Sequence, residues 1–444
     1  MTPERRAPQA GRPPSSDRRP PAEPSPSPSS APAAPEPSVS PADNPLADLI
    51  RTEIETSPDR RITFARFMER ALYEPDLGYY RGAADRPTDA GDFLTAPETH
   101  PIFGWTVARR IEAVWIELGR PRPFDLMEYG AGSGTLALSI CEGMRRHAAA
   151  DLLESIRYEP VESNPHRLAD LRRRFEEAGL GDRLAERSAT SGAPATSSPA
   201  ETAEPRAPVE SVPVRGVILA NEFLDALPVH RVVVRGGQLR ELYVASGDEA
   251  GEAEGPGKVD GSGGRFVEVV AEPSTPALAE RLADDGVSLA EGQVAEICLE
   301  LEPWLRGVAG RLARGFVIAI DYGYEAAELY GPRRLAGTLL GYRGHRVEEN
   351  PFIDPGQIDL TAHVDFTAVR RLAASHGLRT VSLTTQSEFL VAAGLEEELR
   401  ALQASPGLTL ADYTRARSGI VRMLDPRHMG RFRVLTLARG PQVK

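Results

Sequence analysis

A chain of 444 residues with a formal net charge of −12 can bury a large core, and its surplus of acid argues against a nucleic-acid or anionic-membrane partner. Its two cysteines, Cys141 and Cys298, make neither a disulfide framework nor a metal-ligand cluster and suit a reducing cytoplasm, so no metal is expected. No apolar run approaches a transmembrane length, and the first residues lack the apolar core of a signal peptide.

Residues 1–45 hold fourteen prolines and almost no large apolar side chain. Burial cannot offset the ordering entropy of such a segment, so it reads as a disordered tail. Its arginines suggest a mitochondrial presequence, but the proline density forbids the amphipathic helix that one needs. From Asn44-Pro45, Leu46, Leu49 and Ile50 start a helical period, and a second helix is expected over 64–72. Residues 46–123 are therefore taken as a helical N-terminal cover and 124–440 as the main domain.

Strands are expected at 124–129, 157–162, 216–220 and 316–320, alternating with helices over 135–147, 165–178 and 302–312. Alternation of this kind implies parallel βαβ units with helices on both faces of the sheet. Two low-complexity inserts, 188–213 and 246–264, read as surface loops. The segment 231–244 alternates about Gly236-Gly237 and is expected to be a hairpin in a β-rich lobe around 229–300. Helices over 366–374 and 411–423 and a strand over 432–437 complete the chain.

The most informative segment is Phe124-Asp-Leu-Met-Glu-Tyr-Gly-Ala-Gly-Ser-Gly-Thr-Leu136. An apolar strand ends in Glu128, turns through Gly130, Gly132 and Gly134, and opens a helix. Glycine is needed where the turn visits positive φ and a ligand meets bare backbone. The G-x-G-x-G spacing, with an acid two before the first glycine, looks like the S-adenosylmethionine loop of class I methyltransferases; dinucleotide binding, and hence an oxidoreductase, is a rival.

Glu162 closes the second strand 28 residues after Gly134, where a carboxylate can take both ribose hydroxyls of an adenosine. Glu128 can bind the methionyl ammonium group, or be an ion-paired strand residue. Asn221-Glu222-Phe-Leu-Asp225 leaves the third strand beside the cofactor loop. Asn221 is assigned to the cofactor there. Glu222 and Asp225 suit a cationic acceptor, because a carboxylate matches the planar fork of a guanidinium and can take its proton. Both could instead satisfy loop amides, and Asp321 has the same ambiguity. Asp92, Glu98 and His363 are candidates for the substrate side or its cover; Glu98 could equally begin a helix, and His363 could be structural.

Six motifs in order carry a family resemblance: Gly78-Tyr-Tyr80, Gly91-Asp-Phe-Leu-Thr-Ala-Pro-Glu98 with Phe103-Gly104, the glycine loop, Ala220-Asn-Glu-Phe-Leu-Asp-Ala-Leu-Pro228, Asp321-Tyr-Gly323 and Asp359-Leu-Thr-Ala-His-Val-Asp-Phe366. The chain resembles MidA-type methyltransferases over residues 46–440. The resemblance implies a class I, Rossmann-like methyltransferase fold and S-adenosylmethionine as cofactor. It further implies protein arginine methylation of a respiratory complex I core subunit, or its counterpart in a bacterial cytoplasm. His100-Pro101 and the two inserts depart from the family pattern. The rival function is an assembly chaperone that binds the cofactor without turnover, or transfer to a different acceptor.

Overall fold

The computed structural model describes residues 44–82, 95–185, 212–247, 266–344 and 346–440. The Pro-rich tail, most of both inserts and Asp92 lie outside the described residues.

Helix α1 (Pro45–Thr56) starts where the Asn44 side chain accepts the Ala47 N–H at 3.0 Å, with proline in the first turn, where its missing N–H costs nothing. Helix α2 (Phe64–Tyr73) is capped by Thr63 and buries Phe64, Phe67, Met68, Ala71 and Leu72. Between them, the strand Arg61–Thr63 pairs antiparallel with Tyr243–Ala245. The cover is thus not purely helical: it lends a strand to the inserted lobe.

Helix α3 (Ile102–Glu117) corrects the expected domain boundary. It is buried along most of its length and shares one core with Phe124, Leu126, Val217 and Phe316 of the sheet. It packs on α4 (Thr135–Arg146) so closely that a Cβ on Gly143 would lie 2.7 Å from Trp105 Cα. This helix, inside the segment taken as the cover, thus shares the core of the sheet, while among the described residues α1 and α2 pack in a separate cluster.

The main sheet has six strands: β1 (Phe124–Tyr129), β2 (Ile156–Val161), β3 (Val214–Asn221), β4 (Leu312–Asp321), β5 (Arg379–Thr385) and β6 (Arg433–Arg439), in spatial order β5-β6-β4-β3-β1-β2. Strands β1 to β4 are mutually parallel, and β6 runs antiparallel between β4 and β5. Helices α3, α4 and α5 (Pro165–Glu177) bury their apolar stripes on one face, with Leu171 and Phe175 reaching Tyr158. Helices α6 (Leu301–Arg311) and α7 (Phe366–Ser375) cover the other. This is the expected α/β class. Strand order reverses at β1, whose neighbours are β2 on one side and β3 on the other, and the carboxyl ends at such a switch point are where open α/β sheets bind ligands.

The lobe between β3 and α6 is an antiparallel sheet of His230–Arg235, Gln238–Ser246, Phe266–Ala271 and Val294–Ile297, completed by Arg61–Thr63. Its hairpin turns through Gly236 and Gly237 at φ 58° and 72°, as the alternation predicts. A three-stranded sheet, Leu340–Arg343, Arg346–Glu348 and Asp359–Thr361, had no counterpart in the sequence reading. Phe352, Ile358, Leu360 and Ala362 from this region join α1, α2, Ala226 and Val244 in one core. The cover is thereby fixed over the residues that follow β3.

Candidate active site

The glycine loop leaves β1 with Gly130, Gly132 and Gly134 at φ 67°, 53° and 80°, all left-handed. Each has its own reason for lacking a side chain. A Cβ on Gly130 would meet the Phe223 ring at 3.2 Å, and one on Gly134 would meet Leu171 at 2.9 Å. A Cβ built on Gly132 would have no atom of the described residues within 4 Å, so that side of the backbone is open at the N-terminus of α4, where a ligand can approach it.

Two side chains from the β2–α5 unit pin this loop. Glu162 Oε2 accepts the Gly132 N–H at 2.8 Å, while its Oε1 accepts the Asn164 N–H at 2.7 Å. Arg174 Nη1 donates to Ser133 O at 3.0 Å, Ser133 Oγ at 2.7 Å and Thr135 Oγ1 at 3.1 Å. Glu162 thus sits beside the loop as predicted, yet both its oxygens already serve backbone amides. Arg174 was missed because it lies in Arg172-Arg173-Arg174, which reads as a solvated helix face.

Glu128 is buried beneath the loop, and its Oε2 accepts the Tyr158 hydroxyl at 2.7 Å. Burial pushes its carboxyl up to about 8, against the lowering effect of the Tyr158 bond, with Glu162 adding to the rise. Tyr158 was missed, although a tyrosine in an otherwise apolar interior strand is a signal that a buried polar partner is near.

The third strand delivers the next group. Glu222 has φ 48°, a strained position for a residue with a side chain, and its N–H is held by Ile320 O at 2.8 Å. Its Oε1 accepts from Ala96 N and from Asn221 Nδ2, both at 3.2 Å. The Thr95-Ala96 end of the Gly91–Glu98 motif therefore abuts Glu222. Among the described residues no donor meets Glu222 Oε2, Asp225 Oδ1 or Asn221 Oδ1, although all three atoms are buried. Burial, then the neighbouring Asp225, raises Glu222 to about 8; burial raises Asp225 to about 6, offset by a bond from Tyr322.

Three residues expected on the substrate side or its cover, Asp321, Glu98 and His363, make contacts within the described chain. Asp321 Oδ2 accepts the N–H groups of Phe223, Leu224 and Asp225 at 3.2, 2.8 and 3.4 Å, and Oδ1 accepts that of Tyr322 at 2.9 Å. It shapes the turn that presents Glu222 and Asp225, and burial with Asp225 nearby keeps its carboxyl well above the usual range. Exposed Glu98 reaches back to the N–H and hydroxyl of Thr95, capping the short helix Ala96–Thr99. His363 lies against the rings of Tyr322 and Tyr324, at 5.3 and 5.5 Å, and burial lowers it to about 4.

A parallel sheet with an antiparallel β6, a glycine loop at its switch point and carboxylates at the ends of β1, β2 and β3 define the class I methyltransferase architecture. Residues 106–384 match the family described as "Putative S-adenosyl-L-methionine-dependent methyltransferase", and the chain belongs to that family. It is 29% identical over 409 residues to the protein arginine methyltransferase NDUFAF7 homolog, mitochondrial, of Drosophila melanogaster, covering 89% of this chain and 85% of the relative. The human protein arginine methyltransferase NDUFAF7, mitochondrial, is 26% identical, covering 81% and 76%. A crystal structure of a Burkholderia thailandensis protein bound to S-adenosyl-homocysteine superposes with a TM-score of 0.74 at 29% identity, covering 93% of this chain and 97% of the other.

The cofactor is S-adenosylmethionine, and the backbone at Gly132, left-handed and open on the side where a Cβ would stand, fits it. Among the described residues no helix is long and apolar enough to cross a membrane.

Proposed function

We propose that the chain methylates an arginine side chain of a partner protein, a core subunit of respiratory complex I or its bacterial counterpart, in the cytoplasm. The observation that carries this reading is the pair of buried carboxylate oxygens, Glu222 Oε2 and Asp225 Oδ1, with no donor among the described residues. Orphaned acceptors of this kind are costly unless a ligand brings the missing donors. A guanidinium supplies both the positive charge and a planar fork of N–H donors. The names of the NDUFAF7 relatives support the arginine acceptor, and the free thiols Cys141 and Cys298 suit a reducing compartment.

S-adenosylmethionine, when bound, supplies a methyl group on a positively charged sulfur. The chain's part is alignment: Glu162 and Arg174 hold the loop, and the Asp321-braced turn presents Glu222 and Asp225. As the new N–C bond forms and the C–S bond breaks, the acceptor nitrogen loses one proton, and Glu222 in its ionised form takes it. Fixed carboxylates also hold the nitrogen in line, which is most of what a direct displacement needs.

The test is incubation with methyl-labelled cofactor and the recombinant subunit, followed by tandem mass spectrometry. The label is expected on an arginine nitrogen and should vanish when that arginine is replaced by lysine. Label on another residue type would refute the reading.

A further inference from the structure

Residues 410–433 reverse the charge balance of the chain. They hold six arginines against Asp412 and Asp425, in a protein whose net charge is −12. Most of them lie on the helix Leu410–Leu424 and the short helical turn Met429–Arg431. The helix buries Ala416, Gly419, Ile420 and Met423, so Leu410, Arg417 and Val421, at helical spacing, share the opposite face. Leu410 and Val421 are 81% and 58% exposed. Three of the arginines are matched: Arg415 lies 3.6 Å from Asp412, Arg427 2.9 Å from Asp425 and Arg433 3.8 Å from Glu328. Arg417, Arg422 and Arg431 are exposed and form no ion pair among the described residues.

This ridge is built onto the acceptor carboxylates from two sides. A Cβ on Gly419 would lie 3.0 Å from His100 Cβ and 3.2 Å from Thr99 Cγ2. Thr99 belongs to the short helix Ala96–Thr99, whose Ala96 N–H donates to Glu222 Oε1 at 3.2 Å. On the other side Arg431 is near enough to His363 to act on its charge, and the adjacent Ala362 N–H donates to the Asp225 carbonyl at 3.0 Å.

Unmatched like charges on one surface repel, and apolar side chains at a helix crest gain nothing from water. Protein interfaces resolve both, since they join apolar contacts to arginines that meet acids across the boundary. We propose that this ridge docks an acidic segment of the protein whose arginine enters the site, so that acids near the target arginine select it. This rests on the protein-acceptor reading above. The carboxylates take a cation while the ridge beside them repels one, so an arginine flanked by acids fits where a basic run does not.

The test uses the full chain saturated with S-adenosylhomocysteine, a fluorescent decaglutamate peptide and the double variant Arg417→Glu, Arg422→Glu. Wild type should bind decaglutamate, less tightly as salt rises, and the double variant should bind it about tenfold more weakly. With the recombinant subunit as acceptor, the double variant should raise KM about tenfold and leave kcat at the wild-type value. Its melting temperature and its affinity for S-adenosylhomocysteine should match wild type. Should the double variant fail to fold, Arg417→Ala carries the comparison, with a loss of about threefold.

Equal decaglutamate affinity in wild type and variant, or an unchanged KM, overturns the proposal. A single-stranded oligonucleotide that binds tighter than decaglutamate and is lost in the variant also overturns it, in favour of a nucleic-acid surface. Decaglutamate held by the ridge, with no label on any arginine of the subunit, would uphold the ridge and remove the arginine-transfer reading.

Discussion

The carboxylate of Glu162 accepts the backbone N–H of Gly132 at 2.8 Å, tying the end of the second strand to the middle of the glycine loop. One side chain thus joins the two parts that the sequence nominated separately for cofactor binding. Glu162→Gln should weaken both affinity and fold, because the amide presents an NH2 where the loop also presents an N–H. The cost is about 1–3 kcal/mol for one buried acceptor lost. Calorimetric titration with S-adenosylhomocysteine and thermal melts of the free protein check it; an unchanged melting temperature would show that the Gly132 bond contributes nothing to the loop.

Arg174 gives a cleaner separation, since its three contacts all go to Ser133 and Thr135. Arg174→Gln should reduce cofactor affinity about tenfold by releasing the loop, the expected size for losing one to two kcal/mol of hydrogen bonding. Arg174→Lys should recover only part, because an ammonium is a point donor and not a fork. Equal affinity in all three proteins would leave Arg174 as a surface arginine.

Gly132→Val should abolish cofactor binding and keep the fold. The new side chain would enter space in which no atom of the described residues lies within 4 Å of its Cβ, although φ 53° adds strain. Full-strength binding by the folded variant would mean that the cofactor does not approach this loop.

Much of this site was legible because the chemistry is local. Glycine spacing marks a turn at positive φ, and an acid at a strand end is marked by the apolar run before it. Strand β1 was expected at 124–129 and is Phe124–Tyr129. Long-range pairings were not legible. Nothing in the sequence says that Tyr158 bonds Glu128, that Asp321 braces the turn at Leu224, or that Tyr80 reaches Asp359, because each depends on strand order and docking. Strand β5 was missed for a related reason: Arg-Thr-Val-Ser-Leu-Thr-Thr lies at the sheet's edge, half exposed, with little apolar content. The α3 boundary was misjudged since apolar periodicity shows a buried helix without showing which core it enters.

The raised carboxyls give a pH signature. Glu222, near 8, and Asp225, near 6, must ionise to hold a cation, so binding of an arginine acceptor releases protons. kcat/KM for the acceptor should rise from pH 6 to 8 and then level, with the upper limb absent in Glu222→Gln. Stability runs the other way. The folded values lie above the ordinary 4.5 and 3.8, so the folded protein holds more protons than the unfolded chain. That contribution is present at low pH and is lost as pH rises through 6 and 8. In the cofactor-free protein, Glu222→Gln should therefore gain melting temperature relative to wild type more at pH 8.5 than at pH 5. A difference independent of pH would place Glu222 in solvent.

Glu222 is expected to serve an arginine acceptor and not the cofactor. That expectation is tested most directly by single-turnover methyl transfer to the recombinant subunit, wild type against Glu222→Gln, with the labelled atom located by tandem mass spectrometry. The expected result is label on an arginine nitrogen, a rate lower by about 100-fold in the variant, and S-adenosylmethionine affinity within a factor of about two, the scale of a few tenths of a kcal/mol. Full transfer rate in Glu222→Gln, or label on a neutral amide, would contradict it.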